Sequence, residues 1–273
     1  MIGIDPRFIE VWDNKVKQEI TFFRSTDDPY AAAFVCDTSG SMKERVAALR
    51  SAVREFTQYS HPQDQYTLVG FNSKVDILGT DITPEDLINR MALLLPQKQT
   101  ALYDAVQAGI SSLATSRYSR RALILISDGQ DNSSRTTLNA LKSQLSEAAI
   151  RLFVVDVSGA PDFSATPFQN RNNSAEEATI LFRMGQQASL QQQGKEILAT
   201  LTRLGGGNLY DGTSDHQIRQ AAINIALEMR RSFSIGFVPT EENMSGKRKW
   251  HKLQLKFTGK PQLIFNHRPG YWQ

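Results

Sequence analysis

Ala31-Ala-Ala-Phe-Val-Cys-Asp37 is seven residues without charge until the last, the pattern of a strand buried on both faces. The polar turn Thr38-Ser-Gly-Ser-Met42 then leads into a helical pattern over 43–57, with Val46, Leu49, Val53 and Phe56 on one side. The alternation continues along the chain. Gln65 to Phe71, Arg121 to Ile126 and Leu152 to Val157 read as further strands, and Lys74 to Leu78 as an antiparallel partner after the turn at Asn72-Ser73. Helices are predicted after a Thr83 cap with Pro84 at the first position, along Leu102, Val106, Ile110 and Leu113, and along Leu138, Leu141 and Leu145. Ile197, Leu198, Leu201 and Leu204 close another at the glycine stop Gly205-Gly-Gly207, and Ser214 caps the helix bearing Ile218, Ala222, Ile225 and Met229. Asn208-Leu-Tyr210 starts the sheet's edge, and Ser232 to Val238 is expected as a last core strand.

Strands alternating with helices in this way specify an α/β fold, a Rossmann-like doubly wound, mostly parallel sheet flanked by helices. The two ends read differently. Residues 7–12 and 16–23 alternate with period two around Asp13-Asn14, a hairpin signal, and Trp250 to Phe257 with Gln262 to Asn266 reads as a closing hairpin joined to the first. The expected organisation is thus a main domain over 29–239, with 1–28 and 240–273 as an accessory β extension packed on it. Residues 161–194, rich in Asn, Gln and Ser, read as an elaborated loop with one or two short helices and as a place for partner-specific variation.

Composition narrows the function. With 273 residues, 40% of them hydrophobic, the chain suits one large domain with a small appendage. Thirty-one Lys plus Arg against 28 Asp plus Glu leave a formal charge of only +3, too little to recruit nucleic acid. The single cysteine, Cys36, excludes an internal disulfide. No run of about eighteen apolar residues predicts a membrane span, and Met1 to Pro6 lacks the pattern of a secretory signal.

Candidate chemistry collects at the strand ends. Asp37, Ser39 and Ser41 stand together after the first core strand, with Gly40 permitting a tight bend between the serines. Asp128 follows the strand ending at Ile126, and Thr100 opens the helix at Leu102. Two carboxylates and three hydroxyls from three loops form a set of hard oxygen ligands suited to Mg²⁺ or Mn²⁺, with Ca²⁺ as a further candidate. Each also has an ordinary reading: Ser39, Ser41 and Thr100 as helix caps, Asp128-Gly129 as a turn. Asp104, one helical turn beyond Thr100, reads as an acceptor that orients a ligand or as a solvated carboxylate, Asn72 as a rim or turn residue, and Asp131 as a turn or capping residue. Ser214-Asp215-His216 are sequence neighbours and form no relay, while His61, His216, His251 and His267 are too scattered for zinc. No nucleotide loop, His-Glu-x-x-His, paired cysteine or Gly-x-Ser-x-Gly elbow occurs.

Asp37-Thr-Ser39-Gly-Ser41, Thr100-Ala-Leu-Tyr-Asp104-Ala and Ile126-Ser-Asp128-Gly resemble the three loops of the metal-ion-dependent adhesion site of von Willebrand factor A domains, in that family's order. Gln99 stands where the family often has glycine. The stretch Val11 to Ile20 and the ending Arg268-Pro-Gly-Tyr-Trp272 are similar to a bacterial subgroup common in acidobacteria. The resemblance implies an extracytoplasmic, non-enzymatic module in which an ion held by Asp37, Ser39, Ser41, Thr100 and Asp128 takes an acidic side chain of a partner protein as its last ligand. Two other readings are a metal-dependent phosphatase with Asp37 as nucleophile, in which Ser39 occupies the place of a needed second aspartate, and a structural module with an empty site.

Overall fold

The computed structural model describes residues 4–25, 28–42, 45–95, 99–159, 174–239, 248–260 and 265–273. In chain order its strands and helices are β1 (Ile9–Asp13), β2 (Val16–Gln18), β3 (Ile20–Ser25), β4 (Ala31–Asp37), α1 (Val46–Thr57), β5 (Gln65–Phe71), β6 (Val75–Ile82), α2 (Pro84–Arg90), α3 (Leu102–Ala114), β7 (Arg121–Ser127), α4 (Leu138–Glu147), β8 (Arg151–Asp156), α5 (Ser174–Gly205), β9 (Gly206–Asp211), α6 (Asp215–Arg230), β10 (Phe233–Phe237), β11 (Trp250–Phe257) and β12 (Gly270–Trp272).

Six strands form the main sheet in the order β6-β5-β4-β7-β8-β9, all parallel except the edge strand β6. β4 is the hinge of this order. The chain first runs outward through β5 and β6, then returns to β4's other side and runs outward through β7 to β9, which is the switch point where open α/β sheets gather ligands. Every residue of β4 is buried. Ala32, Phe34 and Cys36 face the layer containing Leu49, Val53 and Phe56 of α1 and Ile225 of α6. Ala31, Ala33 and Val35 face Leu102 and Val106 of α3 and Leu198 and Leu201 of α5. The sheet is therefore sandwiched between two helical layers, and a charge in the middle of β4 would have no exit to water. Gly109 brings α3 close to the sheet, since a Cβ there would meet Val35 at 2.9 Å and Leu123 at 2.8 Å.

Caps at two helices agree with their sequence signals. Thr83 accepts from the Asp86 N–H with Pro84 opening α2, and Ser214 accepts from the Gln217 N–H at the start of α6. α4 is capped by Thr137, not by Asp131.

Three expectations need correction. Ser232 to Val238 does not extend the core: β10 pairs antiparallel with β3 in a separate two-stranded sheet. The amino-terminal hairpin is shorter than the alternation suggests, because β2 ends at Gln18 and the chain leaves it for β3. Its turn places Asn14 and Lys15 at φ 47° and 70°, the double left-handed conformation that matches strand twist in two-residue hairpins. β1 also pairs with β11, joining the two ends of the chain, but β11's other neighbour is β12 at Gly270–Trp272. The segment 262–264 expected there lies outside the described residues, as does 160–173 of the polar segment. From Ser174 onward the chain forms one 32-residue helix, α5, rather than short helices in a loop.

Candidate functional site

Four of the five predicted ligand residues have described side chains, and all four are buried at the carboxyl ends of β4 and β7 or in the loop before α3: Asp37, Ser39, Thr100 and Asp128. Ser41 is placed by its backbone, within the single 3-10 turn Gly40–Met42. Neither serine occupies the capping position of α1, which is Arg45, and Thr100 does not cap α3, whose capping position is Ala101. The capping readings of Ser39 and Thr100 therefore fall away.

The loops are bound to one another by a closed set of hydrogen bonds. Asp37 Oδ1 accepts from the Ser39 N–H at 2.7 Å, and Oδ2 accepts from the Ser127 hydroxyl at 3.0 Å, linking β4 to β7. The Ser127 hydroxyl in turn accepts from the Gly129 N–H at 3.1 Å. Asn132 clamps the third loop on the second: its Oδ1 accepts from the Thr100 N–H at 2.9 Å, while the Asn132 N–H and Ser133 N–H donate to the Thr100 carbonyl at 3.0 and 3.1 Å. Asn72 joins the second loop to the first. Its carbonyl accepts from the Ala101 N–H at 2.7 Å and its Nδ2 donates to Thr38 Oγ1 at 3.3 Å. Asn72 is thus a brace as well as a turn residue.

Asp104 and Asp131 are braces too. Asp104 accepts from the Arg135 and Thr136 N–H groups at 2.9 and 2.8 Å, and Asp131 accepts from the Ser134 hydroxyl and the Tyr103 N–H. Asn132 and Ser127 carry no sequence signal for this role, since each acts on a group brought near only by the fold.

Two backbone details shape the rim. Gln99 has φ +74°, so the position where the resembled family often has glycine is in the left-handed region. A non-glycine side chain there costs about 1–2 kcal/mol. Replacing Gln99 by glycine is expected to raise unfolding stability by about 1 kcal/mol, after glycine's own entropic cost, in a chemical denaturation series; an unchanged midpoint would show that the loop carries no such strain. Gly129, at φ +80°, lies against α5: a Cβ on it would sit 2.4 Å from the Gly194 carbonyl oxygen, and one on Gly194 would sit 2.5 Å from that of Asp128. Glycine at both places lets a helix backbone rest directly on the loop carrying Asp128.

The electrostatics are unfavourable as they stand. Burial, then the nearby charge of Asp128, push the Asp37 carboxyl up to about 6, against the pull of its hydrogen bonds from Ser39 and Ser127. Two carboxylates that repel one another across buried strand ends are stabilised by a cation between them. The carboxylates and hydroxyls on these loops are donors of the kind a hard ion takes; among the described residues no group of three or more His, Cys, Asp or Glu that could hold a metal ion occurs.

Residues 32–130 match the profile of the von Willebrand factor type A domain. That stretch is similar to a von Willebrand factor type A domain. The profile takes in β4 through Asp128 and hence all three loops. Solved structures agree on the fold. The PilB minor pilin from Streptococcus sanguinis is 13% identical with a TM-score of 0.54, covering 76% of this chain and 63% of its own. Proximal thread matrix protein 1 from the mussel byssus is 14% identical with a TM-score of 0.53, over 79% and 49%. A von Willebrand factor type A protein from Catenulispora acidiphila is 12% identical with a TM-score of 0.52, over 75% and 43%. The chain thus spans less than two thirds of each of these proteins. No curated protein matches it. Among the described residues no helix is long and apolar enough to cross a membrane.

Proposed function

We propose that the chain is a divalent-metal-dependent protein-binding module, non-enzymatic and working outside the cytoplasm. The observation that carries this reading is the pair Asp37 and Asp128, buried at neighbouring strand ends and close enough that the charge of Asp128 raises the cost of ionising Asp37, in loops that also bury Ser39 and Thr100. Mg²⁺ or Mn²⁺ would be held by Ser39 and Ser41 directly, by Thr100 directly or through water, and by Asp37 and Asp128 directly or through waters. Neutral hydroxyls leave such an ion with residual positive charge, so it supplies an electrophilic point for an outside oxygen donor, best a carboxylate of a partner protein. The backbone N–H and hydroxyl of Ser39 both hold Asp37, an arrangement that fixes the carboxylate as a ligand.

The surroundings suit a macromolecular partner. Before Gly194, α5 runs for some twenty residues, about 30 Å at the helical rise, and Phe182 and Leu190 on it are exposed. A minor pilin and a byssus matrix protein share the fold, in keeping with a role outside the cell.

The test is calorimetric titration of MgCl₂ and MnCl₂ into chelator-stripped protein. One saturable site is expected, together with chelator-sensitive retention of acidic proteins on the immobilised chain. Absence of heat from either ion, with melting indifferent to chelator, would sink the reading.

A further inference from the structure

At the opposite end of the sheet, the amino ends of β7 and β8, the end of α6 and the strands β1, β10 and β11 enclose a cavity of about 840 Å³. Its size is that of a small-molecule site. Val11, Phe233, Ile235, Leu253, Leu255 and Phe265 line it with apolar surface. Five arginines also line it, Arg120, Arg121, Arg151, Arg231 and Arg268, against one carboxylate among the described lining residues, Glu228.

That carboxylate is already committed. Glu228 Oε1 takes the Arg151 guanidinium, and Oε2 accepts from Asn208 Nδ2 at 2.8 Å and from the Tyr210 hydroxyl at 2.9 Å. Arg151 is neutralised by this pair, yet its Nε is buried with no acceptor. Arg121 bonds the carbonyls of Tyr118 and Ser116 at 2.7 and 3.1 Å and has no carboxylate partner among the described residues. Arg231 is exposed and Arg268 half-buried, and neither has a carboxylate partner among the described residues; Arg268 has only the Tyr271 ring, 5.8 Å away. Burial lowers the Arg268 pKa, so its charge is held in place at a cost. Its backbone is fixed by close approach to Gly206, where a Cβ would meet the Arg268 nitrogen at 2.4 Å.

We propose that this cavity binds a small amphipathic carboxylate, an apolar chain bearing one acidic group, with the apolar wall taking the chain and Arg268 and Arg231 the carboxylate. A cationic rim over an apolar wall is complementary to that class of molecule and repels its cationic counterpart. The site is about 20 Å from Asp37, the length of a seven-residue strand, and does not depend on the metal reading.

Decanoate, decanol and decyltrimethylammonium, each below micelle formation, discriminate by calorimetry with the full chain. Decanoate is expected to bind saturably at one site, decanol more weakly, and the ammonium compound not at all. Arg268→Gln should weaken decanoate about tenfold, and Arg231→Gln, a change at an exposed side chain, should weaken it severalfold with the circular dichroism and melting curve unchanged. No binding of decanoate, equal binding of the three compounds, or undiminished affinity in both variants would overturn the proposal.

Discussion

Replacing Asp37 by asparagine is expected to stabilise the metal-free protein at neutral pH and, in the same molecule, to abolish its response to divalent ions. The two effects have one origin. Asp37 is raised from an ordinary value of 3.8 to about 6, first by burial and then by the charge of Asp128. A carboxyl whose folded value lies above its unfolded value makes ionisation oppose folding. The cost is absent below the unfolded value, grows as pH rises through the interval from 3.8 to about 6, and is complete above it. Its full size is about 3 kcal/mol. Asparagine keeps an acceptor for the Ser39 N–H, and the Ser127 hydroxyl can rotate, so the hydrogen bonds at Asp37 are largely preserved while the charge is lost.

Metal-free wild-type protein should therefore melt at lower temperature at pH 7.5 than at pH 5, and the Asp37→Asn variant should lack most of that difference. Under the proposed function, Mg²⁺ raises the wild-type melting temperature at pH 7.5, raises it less at pH 5 where protons compete for Asp37, and leaves the variant unmoved. A variant that keeps the Mg²⁺ effect removes Asp37 from the ligand set. One that loses the ion but keeps the pH slope places the titrating group elsewhere.

The parts of this site that could be read from sequence are those encoded locally. β4 announces itself by six apolar positions before Asp37, and the turn after it by Ser-Gly-Ser; the same holds for β7 and Asp128-Gly129. The braces are not local. Asn132 acts on Thr100, and Ser127 acts on Asp37 ninety residues away, through pairing of β4 with β7. α5 escaped because a helix that is exposed on most sides over 182–193 needs no apolar stripe there, so its Gln- and Ser-rich sequence has the composition of a loop. β10 alternates as a core strand does, and only its partner β3 shows that it belongs to another sheet. Gln99 is a different case: nothing in glutamine signals φ +74°, and only the glycine common in the family pointed to that geometry.

The largest structural effect is expected at a residue that the sequence presents only as the edge of a hairpin. Asp13 is buried at the end of β1, where it accepts from the Tyr271 hydroxyl at 2.8 Å and contacts His251 Nδ1 at 3.0 Å through each oxygen. His251 is itself buried, and its Nε2 has no partner. This group fastens β1, β11 and β12 together across 238 residues of chain. Removing the carboxylate in Asp13→Ala takes the partner from the half-buried Tyr271 hydroxyl and from buried His251 Nδ1, which are left only each other at 3.5 Å, a loss of about 2 kcal/mol, or about 4 °C in melting temperature for a chain of this size. Asp13→Asn, which retains one acceptor for Tyr271, should lose less. Because Val11, Leu253 and Leu255 of this sheet wall the arginine-lined cavity, decanoate binding should fall with it, while the loops around Asp37, braced within the main sheet, keep their ion. If Asp13→Ala melts within 1 °C of wild type, about half a kilocalorie by the same scaling, the accessory sheet is held by its apolar contacts, and the Asp13–His251–Tyr271 group is a passenger in it.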